Sequence, residues 1–209
     1  MDAILFDVDG TLWDSTEKVA IAWRKVCRNA GVPEGHITGP RLKREFGKLL
    51  ADIGRSLFPD MPEEEALSLT AECCRYENEY LKEDKPELYP GVFHVFETLY
   101  GRIPLFIVSN CQEGYIETLL EVSGLTPYVT DHLCPGDTGQ AKAANIRTIV
   151  EKYGCREPVY VGDTLGDQTA CREAGVPFCF AAYGFGTVTD PDFIIRSPEE
   201  LLTQIPLCS

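Results

Sequence analysis

Positive charge, long apolar runs, paired cysteines and clustered histidines are all scarce in this chain, and each scarcity removes a class of function. Lys and Arg number 19 against 33 Asp and Glu, a formal net charge of −14. So acidic a protein lacks the basic face that a general nucleic-acid binder or a protein lying on anionic membranes needs. No apolar run reaches the roughly 18 residues of a membrane span, and the start Met1-Asp2-Ala3-Ile4 is not a basic segment followed by an apolar stretch. A soluble protein of the cytoplasm, working without membrane or nucleic acid, is expected. Nine cysteines (Cys27, Cys73, Cys74, Cys111, Cys134, Cys155, Cys171, Cys179 and Cys208) form an odd set with no C-x-x-C pair. That scatter reads as reduced thiols, not as a disulfide framework or a zinc site. His36, His94 and His132 lie far apart, without metal-ligand spacing, and read as surface or packing residues.

What is present suffices for a real core. At 209 residues and 44% hydrophobic content, one domain, or one domain with a modest insertion, is expected. The apolar run Ala3-Ile4-Leu5-Phe6 ends in Asp7-Val8-Asp9-Gly10-Thr11, which suits a buried strand entering a loop. From Ser15 or Thr16, placed to cap, a helical pattern of Val19, Trp23, Val26 and Ala30 runs to Gly31. Helical spacing continues from Leu42 through Phe46, Leu49, Leu50 and Ile53, then from Pro62 through Ala66, Leu69, Cys73, Tyr76, Tyr80 and Leu81. Residues 15–85 thus read as helices only. After Pro86 the texture alternates. Strand-like runs at 104–108, 128–133, 159–161, 177–181 and 193–195 alternate with helical patterns at 92–100, 116–122, 140–153, 168–174 and 198–204. This predicts an α/β fold, a Rossmann-like doubly wound parallel sheet covered on both faces, with the helical block inserted after the first strand.

In such a sheet, ligands bind beyond the carboxyl ends of the strands. Three polar clusters fall there: Asp7 and Asp9 after Phe6, Ser109 and Asn110 after Val108, and Asp163 with Asp167 after Val161. Four carboxylates at one edge repel unless a cation holds them, and an all-oxygen set suits Mg²⁺ better than zinc. Any single one of these Asp residues also suits a helix cap or a turn.

The order Asp7-Val8-Asp9-Gly10-Thr11, then Ser109-Asn110, then Lys142, then Gly162-Asp163 with Asp167, resembles the haloacid dehalogenase superfamily over nearly the whole chain. The resemblance implies a core of residues 1–14 and 86–209, with 15–85 as a helical C1 cap. It implies Asp7 as nucleophile, Asp9 as acid and base, and Lys142 neutralising charge and orienting Asp7. Mg²⁺ is implied among Asp7, the backbone carbonyl of Asp9, Asp163 and Asp167. Thr11, Ser109 and Asn110 are implied at the phosphoryl group. An acid at residue 9 distinguishes the superfamily's phosphatases and phosphomutases from its dehalogenases. The third motif departs from the common Lys-Pro and reads Gly139-Gln140-Ala141-Lys142-Ala143-Ala144.

The dense positive stretch Arg41-Leu42-Lys43-Arg44-Glu45-Phe46-Gly47-Lys48 sits in the expected cap. Arg44 and Lys48 are candidates to hold a second anionic group of the substrate, the alternative being a solvated helix face. Tyr183-Gly184-Phe185-Gly186-Thr187 resembles the turn after the last core strand of phosphoglycolate phosphatase-like relatives and is expected beside the site, not in it. The reading is a Mg²⁺-dependent phosphatase of a small phosphorylated metabolite, monomeric or a small homo-oligomer. The alternatives are a sugar phosphomutase of the β-phosphoglucomutase kind and a non-catalytic phosphometabolite sensor.

Overall fold

A computed structural model describes residues 1–204, so Cys208 and the end of the 86–209 segment lie outside the described residues. Four fully buried residues form β1 (Ala3–Phe6), and a block of four helices follows: α1 (Thr16–Asn29), α2 (Gly39–Leu42), α3 (Leu50–Leu57) and α4 (Glu63–Glu83). The chain then alternates through α5 (Val92–Leu99), β2 (Leu105–Val108), α6 (Tyr115–Ser123), β3 (Asp131–Leu133), α7 (Pro135–Thr138) and α8 (Lys142–Tyr153). It closes with β4 (Pro158–Gly162), α9 (Leu165–Ala174), β5 (Phe178–Ala181), β6 (Phe193–Ile195) and α10 (Leu201–Gln204).

The six strands make one parallel sheet in the order β3-β2-β1-β4-β5-β6. Winding runs outward from β1 in both directions, so the predicted doubly wound α/β sheet is what the chain forms. Alternation along β1 explains why both faces are covered. Ile4 and Phe6 enter one apolar cluster with Val95, Phe96 and Ile116, while Ala3 and Leu5 enter another with Ile146, Ile149 and Cys171. Each such aliphatic side chain withdrawn from water contributes roughly 1.5–3 kcal/mol.

Two local readings are corrected. The helix expected from Leu42 through Ile53 is broken between α2 and α3, where Gly47 adopts φ +87°, a left-handed conformation that L side chains disfavour. Ser15 stands at the start of α1 but its hydroxyl does not cap it; instead Asp14 Oδ1 accepts from the Thr16 N–H at 3.1 Å. The Ser15 hydroxyl is used elsewhere, in the site.

Entry to and exit from the helical block lie together. Trp13 pairs with Leu88, and the Tyr89 N–H donates to the Leu12 carbonyl at 2.9 Å. The eight cysteines of the described residues are free thiols, and no helix there is long and apolar enough to cross a membrane.

Candidate active site

Register places the chemistry. Phe6 pairs with Ile107 on one side and Val161 on the other, so the residues that follow each strand emerge side by side. The Asp7 N–H extends the ladder to the Val161 carbonyl at 2.9 Å, which fixes its backbone before the chain turns away. Asp7, Asp163 and Asp167 meet there, each offering a carboxylate oxygen within 4.8 Å of the others, all buried.

Lys142 opens α8 and is buried at 3% exposure between two of them, its Nζ 2.7 Å from Asp7 Oδ1 and 2.5 Å from Asp167 Oδ1. Burial opposes its charge, yet the two carboxylates overcome this and push its pKa up. Asp167 is also held by the N–H and hydroxyl of Thr164, and with Lys142 these outweigh burial and lower its pKa. Asp7 has fewer partners; burial raises its pKa against the pull of Lys142. Asp163 is raised by burial and then by its acidic neighbours.

Asp163 also carries the observation that bears on a cation. Its Oδ2 accepts from the Phe185 N–H at 2.7 Å, while its Oδ1 is buried without a hydrogen-bond partner. A buried carboxylate oxygen left bare is costly, and three hard oxygen donors around it fit a divalent cation of the Mg²⁺ kind. The 183–187 turn therefore forms part of the site, correcting its expected place beside it. Tyr183 anchors that turn by donating to the Thr11 carbonyl at 2.9 Å.

Asp9 is only half-buried, and its Oδ1 collects three donors: Ser15 Oγ at 2.6 Å, Tyr115 Oη at 2.8 Å and Trp13 Nε1 at 3.1 Å. Burial still raises its pKa to about 7, against the opposing bonds from Ser15 and Tyr115. Asp9 is thus a carboxyl that can hold a proton near neutrality, next in sequence but one to Asp7.

A narrow cavity lies over Asp7 and Asp9, with about 30 Å³ open to a water-sized group. Ser109, Asn110 and Gln112 wall it from the β2 side; Trp23, Phe46, Leu50, Ile53 and Glu77 wall it from the helical block. Asn110 Nδ2 donates to the Gly47 carbonyl at 2.9 Å, so the broken helix is tied to the loop after β2.

Of the residues singled out in the sequence, Asp7, Asp9, Ser109 and Asn110 line this cavity, and Lys142, Asp163 and Asp167 gather beneath Asp7. Thr11 is fully buried, its hydroxyl without a partner, and does not line the cavity. Arg44 and Lys48 do not line it either. Lys48 pairs with Glu45 at 2.7 Å, and Arg44 is exposed on a separate open groove beside His36 and Phe58. Glu77, Tyr115 and Gln112 were not legible beforehand. Glu77 falls in the buried stripe Ala66, Thr70, Cys73, Glu77 and Leu81 of α4, and a charged residue in that stripe is the signal that could have found it.

The sequence profile of the family described as haloacid dehalogenase-like hydrolase matches residues 4–181. The chain belongs to that family. Among relatives of this haloacid dehalogenase-like hydrolase, the phosphoglycolate phosphatase of Vibrio parahaemolyticus is 29% identical over 220 residues, covering 95% of this chain and 93% of the relative. That of Aquifex aeolicus is 28% identical and covers 97% and 95%. In three dimensions the chain is similar to a haloacid dehalogenase-like family protein of Streptococcus pneumoniae, with a TM-score of 0.81 at 22% identity, covering 97% of each chain. A subfamily IA hydrolase of Geobacter sulfurreducens gives a TM-score of 0.73 at 19% identity, covering 97% of this chain and 95% of the other. These two likenesses establish the fold, and the family match agrees with the resemblance read from the motifs.

Proposed function

We propose that this chain is a Mg²⁺-dependent phosphatase that hydrolyses a small phosphomonoester through an aspartyl-phosphate on Asp7. The carrying observation is Asp9, with three donors on one carboxylate oxygen and a pKa of about 7, beside the buried Asp7. Relatives named phosphoglycolate phosphatase support the ester class.

Asp7 supplies the nucleophilic oxygen, which bonds to phosphorus as the ester oxygen leaves, so one hard displacement becomes two easier ones. Asp9 gives its proton to the leaving oxygen, then takes one from the water that attacks the phosphorus, and Asp7 is regenerated as phosphate departs. The bonds from Ser15, Tyr115 and Trp13 occupy Oδ1 and fix the Asp9 carboxyl in place for both transfers. Lys142 holds the attacking carboxylate by its 2.7 Å bond to Asp7. Ser109 and the backbone N–H of Asn110, which follow β2 beside Asp7, would donate to the phosphoryl oxygens, the Asn110 side-chain amide being held by Gly47. Asp7, Asp163 and the Asp9 backbone carbonyl would hold the Mg²⁺, with Asp167 ligating or bracing the set. When bound, the cation neutralises charge between the Asp7 carboxylate and the phosphoryl oxygens.

Residues 1–14 and 86–209 would form the core and 15–85 a lid hinged where Trp13 meets Leu88. The enzyme would work in the cytoplasm on a small phosphorylated metabolite. The test is phosphate release from a panel of small phosphomonoesters, with Mg²⁺ and with EDTA, for wild type and Asp7→Asn. Release that needs both metal and Asp7 is expected. Conversion of a sugar 1-phosphate to its 6-phosphate without free phosphate would instead establish the mutase, and neither activity in folded, metal-loaded protein, together with tight retention of a phosphorylated metabolite, would support the sensor.

A further inference from the structure

The wall of the cavity over Asp7 carries an acid where an anionic substrate tail would call for a base. Glu77 is 3% exposed, its Oε1 accepting from Gln112 Nε2 at 3.1 Å and its Oε2 accepting from Trp23 Nε1. One donor per oxygen leaves each with unused accepting capacity, since a carboxylate offers about four lone-pair sites. Asn110 adds a second acceptor to the same cavity: its amide nitrogen is committed to Gly47, and its Oδ1 is buried without a partner. Among the described residues, no Lys or Arg lines this cavity.

The basic stretch that offered itself for a second anion is otherwise engaged. Arg41 pairs with Glu45 at 3.0 Å, Lys43 with Asp14 at 2.5 Å and Lys48 with Glu45 at 2.7 Å, while Arg44 lies on the separate groove. Lys142 is held by Asp7 and Asp167. A substrate carboxylate seated against Glu77 and Asn110 would meet an acid, a bare amide oxygen and no cation, and an uncompensated buried anion is expensive.

The geometry points to Glu77 as a specificity-determining residue that, with Asn110, receives a hydrogen-bond donor on the substrate tail, an ammonium ahead of a hydroxyl, and disfavours a carboxylate. This inference rests on the phosphatase reading and narrows its substrate class. It also separates the chain from what the names of its relatives suggest, for phosphoglycolate bears a carboxylate where this cavity presents acceptors. Burial raises the pKa of Glu77 to about 8, so the carboxyl stays largely protonated at neutral pH until a cation partners it. An ammonium bound there would supply one. The narrowness of the cavity restricts the tail to a few atoms.

Three two-carbon esters of matched size isolate the tail: phosphoethanolamine, hydroxyethyl phosphate and phosphoglycolate. With Mg²⁺ and wild-type protein, kcat/KM is expected to fall in that order, with about tenfold or more between the extremes. Glu77→Gln is expected to shrink the ratio of phosphoethanolamine to phosphoglycolate about tenfold, through KM for the amine and not through kcat. A folding defect, by contrast, would change all three alike. A preference for hydroxyethyl phosphate over both charged esters overturns the inference that an ammonium is favoured there. Phosphoglycolate turned over as well as or better than the other two overturns the inference and leaves the phosphatase reading standing, as does an equal effect of Glu77→Gln on all three. Hydrolysis of an aryl phosphate but of none of these esters also overturns it. Failure on the aryl phosphate as well overturns the phosphatase reading beneath it. Should Glu77→Gln not fold, the wild-type ranking alone decides.

Discussion

A lysine ammonium at 3% exposure is tolerable because Asp7 and Asp167 both sit on it, and neither carboxylate is comfortable there without it. Glu77 is the opposite case, a buried acid with neutral donors only, and its cost appears as a dependence of stability on pH. Its pKa rises from 4.5 to about 8 on folding, so the folded state keeps a proton that the unfolded chain has lost over that window. The contribution of Glu77 is therefore fully present below about pH 4.5 and is lost as pH rises to about 8, at a cost on the order of a few kcal/mol. Glu77→Gln carries no such proton. Urea unfolding from about pH 5 to about pH 8 should show the stability difference moving in favour of the variant by more than about 1 kcal/mol. A difference that does not change with pH would show that Glu77 ionises freely in the folded protein.

At the scale of elements, the strands were legible because β1, β2, β4 and β5 are short apolar runs buried on both faces, the first three ending in polar loops and β5 in a glycine-rich turn. The helical block was legible as helices but not in its phase. Periodicity selected Tyr76 and Tyr80 together with Leu81 for the inner face of α4; Leu81 is buried there, but beside it stands Glu77 and not the two tyrosines. The break at Gly47 was hidden because apolar residues on both sides keep helical spacing through it. Close backbone approach was hidden too. A Cβ on Gly184 would stand 2.4 Å from both Asp163 Cβ and the Gly10 carbonyl oxygen, atoms fixed by the site itself. Gly184→Ala is expected to cost about 2 kcal/mol or more and to weaken divalent-cation binding. Thermal unfolding with and without Mg²⁺ measures both, and wild-type stability with an undiminished Mg²⁺ shift would refute the close fit.

Over the whole molecule, the sheet order brings four segments, scattered from residue 7 to residue 185, to the carboxyl end of β1. Except for the 183–187 turn, that convergence was readable from the motifs because each follows an apolar strand or starts a helix. The substrate-facing wall was not, since it depends on how the helical block packs, and there the basic segment turned out to be paired within itself and with Asp14. The two-step route through Asp7, served at both steps by Asp9, can be separated by its halves. Given an aryl phosphate, whose leaving oxygen needs little protonation, Asp9→Asn should still transfer the phosphoryl group but lack the base that clears it. Peptide mass spectrometry after acid quench, with Mg²⁺ present, is the most direct measurement. A phosphoryl group accumulating on the Asp7 peptide is expected. Continued phosphate release by Asp9→Asn without that adduct, or an adduct on another residue, would contradict Asp7 as the nucleophile.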